Sequence, residues 1–224
     1  MSLIEFSDVI QGSDPWHDQR RGIVTASVVG KLLTSTRKVA SNDTSRAVVA
    51  QLVAERITGW TDPVYVSDDM LRGHEDEPRA IAAYEQWTGS TVDITGFMVR
   101  DDFGFEVGYS PDGLVGDDGL VEVKSRRAKK QLQTILDDEV PAENMAQLQC
   151  GLLVSGRAWI DYVSYCGGMP LYVKRVEPDP EWFEAIVAAV TAFELAASLM
   201  TEQYRAATAD LLVTERVVEM EMVI

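Results

Sequence analysis

The chain has 224 residues, 46% of them hydrophobic and 25% charged, and its 20 Lys+Arg against 36 Asp+Glu give a formal net charge of −16. That composition excludes a disordered chain; no apolar run approaches the length of a membrane span and the start MSLIEFSDVI lacks a signal core, so a cytoplasmic protein with one domain over residues 1–224 is expected. Cys150 and Cys166, with no C-x-x-C, exclude a disulfide framework and a cysteine-built zinc or iron-sulfur site, and His17 and His74 are too few for a histidine-built one.

Pro15 and Trp16 open the first predicted helix, with Asp14 as N-cap and Gly22 to end it, which leaves Arg20 in the last turn. Thr25, Ala26 and Ser27 lead into VVGKLL, a second helix whose start offers backbone N–H groups to an anion. Arginine and helix start make either a phosphate pocket or a plain capped helical hairpin. STRKVASNDTS reads as an exposed loop. Ser45 or Thr44 caps RAVVAQLVAERITG, where Val49, Leu52, Val53, Arg56 and Ile57 recur at helical spacing before Gly59. WTDPVYVSDDMLRG reads as a connection exposing Met70 and Leu71. Glu75, Asp76 and Glu77 then open a helix with Ile81, Tyr84 and Trp87 on one side and Gly89 at its end; Pro78 belongs in its first turn or bends a longer helix there.

Val92 to Val99, FEVGYS, DGLV and LVEVKS read as four strands of a meander. LVEVK alternates apolar and polar residues, the period of a half-buried strand, so Glu122 and Lys124 share a face. The Gly-Asp-Asp-Gly turn between Val115 and Leu120 folds Asp112 back towards Glu122. Two carboxylates and an ammonium then converge, which suits metal-assisted attack of water on a phosphodiester. Hard oxygens hold Mg²⁺, the metal activates a bound water, and the lysine orients it or stabilises transition-state charge. The same D-x9-E-x-K spacing also fits an ordinary hairpin with a surface salt bridge between Glu122 and Lys124.

Arg126, Arg127, Lys129 and Lys130 crowd the segment after that strand, and Arg20 with Arg21 makes a second basic cluster. In an acidic shell they form either a lining that draws a nucleic-acid backbone to the chemistry or a solvated face. A helix over QLQTILDD ends before Pro141, and Glu143 to Val154 form another. WIDYVSYC and LYVKRVEP are strand-like around a turn at Gly167 to Pro170. Asp179 caps a long helix from about Glu181 to Ala206, and the tail LLVTERVVEMEMVI is ambiguous between strand and helix.

The SPDG at Ser110 to Gly113 followed by EVK resembles the motif pair of the PD-(D/E)xK nucleases. With WHDQRRGIVTAS from Trp16, RGHEDEPRAIAAYEQWTG from Arg72 and AQLQC from Ala146, the chain resembles more narrowly the YqaJ-type phage recombination exonucleases. The resemblance implies an α/β restriction-endonuclease-like fold with a central mixed sheet flanked by helices. It implies an enzyme that digests linear double-stranded DNA 5′ to 3′ with Mg²⁺, or Mn²⁺ as substitute, and leaves 3′ overhangs for recombination. Catalytic roles fall on Glu77, Asp112, Glu122 and Lys124. Asp112, Glu122, the Val123 carbonyl and Glu77 hold metal; Arg20, Ser27, Ser110 and Gln149 hold the terminal 5′-phosphate, and Arg126 and Arg127 the DNA. A ring-shaped homotrimer, a single-strand annealing partner and a phage or prophage origin in a bacterial cytoplasm are implied as well. Another nuclease of the superfamily and a non-catalytic DNA-end-binding module are the alternatives.

Overall fold

The structure, a computed structural model, describes residues 3–63 and 65–217. Strand β1 (Leu3–Phe6) is followed by α1 (Asp14–Arg20), which Ser13 rather than Asp14 caps by accepting from the Trp16 N–H. A two-residue β2 (Val24–Thr25) runs into α2 (Ala26–Val29) and a 3-10 turn over Gly30–Leu32. Helix α3 (Asp43–Thr58) begins at Asn42, not Ser45 or Thr44. Asn42 and Ser45 exchange side-chain to backbone hydrogen bonds in a capping box, and Gly59 closes the helix in the left-handed region.

Helix α4 (Asp68–Thr88) starts earlier than its sequence pattern implies, because Ser67 caps it and Asp68 and Asp69 fill its first turn. It carries Pro78 in its interior, and Met70 and Leu71, expected on a connection, sit exposed in its first turns. Tyr84 is buried, but Trp87 is 68% exposed rather than on the same side. A spacing of three falls 60° short of a full turn, so two such steps from Ile81 carry Trp87 off the buried face.

Strands β3 (Phe97–Arg100) and β4 (Val107–Tyr109) join β1 and β2 in the order β1-β3-β4-β2, with β2 parallel to β4. Strands β5 (Gly113–Val115), β6 (Gly119–Ser125), β7 (Trp159–Tyr165) and β8 (Tyr172–Val176) form the second sheet in sequence order. The β5–β6 hairpin pairs Val115 with Gly119 as the turn residues imply. The crossover to the parallel β7 carries α5 (Ala128–Asp137) and α6 (Ala142–Ser155). The expected mixed α/β fold with flanking helices is present, its strands divided between two mixed sheets.

Strand β6 divides its side chains between two cores. Val121 and Val123 join Ala80, Tyr84 and Val163 under α4, while Leu120 joins Leu148, Leu152, Ile160 and Tyr162 on the α6 side. Helix α7 (Pro180–Ala207) closes that larger core with Ile186, Ala189, Val190 and Phe193 and packs on α3 and α6. By length and composition α7 is also long and apolar enough to cross a membrane, which corrects the expectation that no run reaches that length. Of the ambiguous tail, residues 211–217 are irregular and exposed, and residues 218–224 lie outside the described residues.

Candidate functional site

A cleft of about 480 Å³ opens between α1, α4, the β4–β5 connection, β6 and α6. Its floor is β6. The alternation of LVEVK turns Glu122 and Lys124 to the α6 side, and Lys124 Nζ donates to Glu122 Oε1 at 2.7 Å and to Gln147 Oε1 at 3.0 Å. Gln147 Nε2 donates to the same Glu122 oxygen, and the Tyr109 hydroxyl donates to Oε2 at 3.1 Å. Glu122 is only 1% exposed, so these three donors offset the loss of water around a buried carboxylate. The surface salt bridge considered from the sequence therefore has a buried Glu122 end and a partly exposed Lys124 end.

Asp112 enters the cleft from the turn before β5, and its Oδ2 accepts the Val123 N–H at 2.7 Å, which ties the hairpin's entry to the middle of β6. Burial pushes the Asp112 carboxyl well above the ordinary carboxylate range, and Glu122 and Glu77 push it further while Lys124 pulls back. Glu77, on α4, is raised by burial and again by Glu122, against the pull of His74. Burial works against the Lys124 ammonium, but Glu122 and Asp112 outweigh it and raise its pKa. The floor thus gathers more carboxylate than one lysine neutralises.

Asp112, Glu122 and Glu77 are the carboxylates of the cleft that could offer hard oxygen donors to a divalent cation. Among the described residues, however, no group of three or more His, Cys, Asp or Glu side chains is placed so that it could hold a metal ion. Glu122 instead faces Lys124 and Gln147.

The opposite wall holds Arg20. Its guanidinium lies over the Trp16 ring, 3.9 Å from the centroid, and donates at 3.3 Å to Thr25 Oγ1 and to Ser27 Oγ. Among the described residues, no carboxylate pairs with Arg20, and burial lowers its pKa to about 10 despite the opposing influence of Glu55. Trp16 Nε1 donates to Ser110 Oγ at 2.9 Å. Because the indole N–H can only donate, Ser110 must accept there, and its own O–H is free to donate into the cleft. Arg20 likewise donates to Thr25 and Ser27, whose hydroxyls lie 3.1 Å apart and share one hydrogen bond, so one O–H of that pair is left to donate. A desolvated guanidinium among hydroxyls left to donate is a site for an anion.

Asp112, Glu122, Val123, Lys124, Glu77, Arg20, Ser27 and Ser110 all line this cleft. Gln149 does not. It is 1% exposed, donates to the Glu177 carbonyl and accepts the Asp179 N–H at the start of α7. Two residues along a helix turn the side chain by 200°, so Gln147 faces the cleft and Gln149 the opposite side. Arg126 and Arg127 also fall outside the lining. Arg126 bonds Asn144 and Tyr162, and Arg127 pairs with Asp69 at 2.7 Å. Lys130 is taken by Glu143. Thr25, Trp16, Tyr109 and Gln147 were missed, although Trp16 and Gln147 lie inside WHDQR and AQLQC.

A family model described as the YqaJ-like viral recombinase domain matches residues 15–158. Among solved structures, an alkaline exonuclease (LHK-Exo) from Laribacter hongkongensis is 31% identical over 89% of this chain and 100% of its own, with a TM-score of 0.80. Its complex with dAMP matches at 31% identity and a TM-score of 0.78, with the same coverage. A phage related exonuclease from Haemophilus somnus 129PT, 15% identical over 81% of this chain and 96% of its own, shares the fold at a TM-score of 0.59. No curated protein matches significantly. The family match over more than half of the chain, together with the 31% identical structure, makes this chain a member of the YqaJ-like viral recombinase family.

Proposed function

We propose that this protein is a DNA exonuclease that uses Mg²⁺ to digest one strand of linear duplex from its 5′ end, leaving a 3′ overhang for recombination. The observation that carries the reading is one cleft holding a carboxylate and lysine floor, Asp112, Glu122 and Lys124, opposite the Arg20 guanidinium, which forms no ion pair among the described residues. The exonuclease named by the 31% identical structure supports the class of reaction.

Asp112 and Glu122, with the Val123 carbonyl and Glu77, would hold the metal, which when bound activates a water and neutralises charge on the phosphate. Lys124 stands beside Glu122 to orient that water and stabilise the developing charge. Gln147 and Tyr109 keep the Glu122 carboxylate in one orientation. Arg20, Ser27, Thr25 and Ser110 would take the terminal 5′-phosphate. A homotrimer enclosing the duplex, an annealing protein as partner and a cytoplasmic place of action belong to the same reading, with family membership as their support.

The test compares linear with closed circular duplex in Mg²⁺, using wild type, Asp112→Ala and Lys124→Ala. Wild type should degrade only the linear DNA, and each variant should lose on the order of a hundredfold or more in rate. Equal attack on the circle would replace the exonuclease with an endonuclease.

A further inference from the structure

Gly22 lies between the helix that carries Arg20 and the strand that carries Thr25, and both sides of this glycine are gripped from α3. Its N–H donates to Glu55 Oε2 at 2.9 Å, and its carbonyl accepts from Arg56 Nε at 2.7 Å. Glu55 is 6% exposed and takes its other bond from Gln51 at 3.1 Å. Arg56 is anchored in turn by α7, where its two terminal nitrogens donate to the Glu194 carboxylate at 2.7 and 2.6 Å. Its guanidinium also lies over Phe193.

The backbone at Gly22 has φ +69°, and a Cβ there would come within 2.5 Å of Arg56 Cγ. The turn therefore requires a glycine, and its peptide is held between these two side chains. None of Glu55, Arg56 and Glu194 lines the cleft. Yet the angle between Arg20 and the Thr25 and Ser27 hydroxyls it meets is set by the peptide they hold.

We propose that Glu55 and Arg56, braced by Glu194, are positioning residues for the anion pocket: they lock the Gly22 turn so that Arg20, Thr25 and Ser27 present their donors to a terminal 5′-phosphate together. The proposal rests on the reading of that pocket given above. Misplacing charged donors by about an ångström costs on the order of a hundredfold where they act together, so the clamp controls discrimination rather than the reaction itself. The Glu55 charge also favours the ionised form of Arg20 across the turn.

The test uses the full chain and two probes, dAMP and deoxyadenosine, which differ only in the 5′-phosphate, with affinity read from the rise in Tm. Wild type should bind dAMP and not the nucleoside. Glu55→Ala should weaken dAMP by roughly tenfold or more, a cost typical of losing a supporting hydrogen bond behind a ligand. Glu55→Gln keeps an oxygen for the Gly22 N–H and should stay close to wild type. Glu194→Ala, on the outer side of the clamp, should give a smaller loss.

The ratio of single-turnover rates on 5′-phosphorylated and 5′-hydroxyl duplex should fall in the same order, with the hydroxyl rate held. Wild-type dAMP affinity in Glu55→Ala, or in Glu194→Ala should the first variant not fold, overturns the clamp. So does a wild type that does not distinguish the two probes. Loss of dAMP binding in Glu55→Ala, with a wild type that digests no duplex, would remove the nuclease reading and keep the clamp.

Discussion

Asp112 is held at the cleft floor by one backbone hydrogen bond, and burial first, then the like charges of Glu122 and Glu77, raise its pKa against the pull of Lys124. An acid whose pKa is raised by folding binds more protons folded than unfolded, so the stability of the metal-free protein falls as pH rises through the interval between the two values. The neutral isostere Asp112→Asn can still accept the Val123 N–H while removing that repulsion. It should therefore match wild type in acid, below the ordinary carboxylate pKa, and be more stable at neutral pH by on the order of 1 kcal/mol, the usual size of a stability gained at the expense of function. Added Mg²⁺ should reverse the order, because only the wild type gains from binding it. Thermal unfolding at acid and neutral pH, with and without metal, reads both effects; a less stable metal-free variant at neutral pH would mean the carboxylate is not under repulsion.

At the scale of elements, α6 separates two glutamines that lie two residues apart. Gln147→Ala removes a donor from Glu122 and a partner from Lys124, and should slow cleavage tenfold or more while the fold persists. Gln149→Ala strands the Asp179 N–H and the Glu177 carbonyl at the start of α7, and should cost about 1–3 kcal/mol of stability. Its preference for a 5′-phosphate should be unchanged. Denaturant unfolding and digestion rates separate the two, and the reverse pattern would put Gln149 in the site.

The β5–β6 hairpin was legible because Gly-Asp-Asp-Gly and the alternation of LVEVK are local signals, and they carry Asp112, Glu122 and Lys124 with them. Which glutamine of AQLQC meets the cleft was not legible, since it depends on how α6 docks. The same holds for the Gly22 clamp, which joins residues more than thirty positions apart. The early start of α4 was hidden because SDDMLRG is polar enough to read as a loop, and only Ser67 marks the cap.

For the whole molecule, the formal charge of −16 is compatible with a nucleic-acid substrate if cations are available where the chemistry is. Arg20 is such a cation, whereas Arg127 shares Asp69 with Arg72 and Lys130 pairs with Glu143. The logarithm of DNA affinity should fall with the logarithm of salt concentration by roughly 0.9 less in Arg20→Ala than in wild type, one phosphate contact on duplex. The double variant Arg127→Ala, Lys130→Ala should keep the wild-type slope. A flattened slope in the double variant would return the segment after β6 to the DNA path, as its run of basic residues first implied.

The most direct measurement is single-turnover digestion of one linear duplex, labelled in separate preparations at the 5′ or the 3′ end of the same strand, with Mg²⁺ or with EDTA. The 5′ label should be released first while the 3′ label persists, with no release in EDTA and a slower start when the 5′-phosphate is replaced by hydroxyl. Release of the 3′ label first, or release in EDTA, would contradict the proposed function.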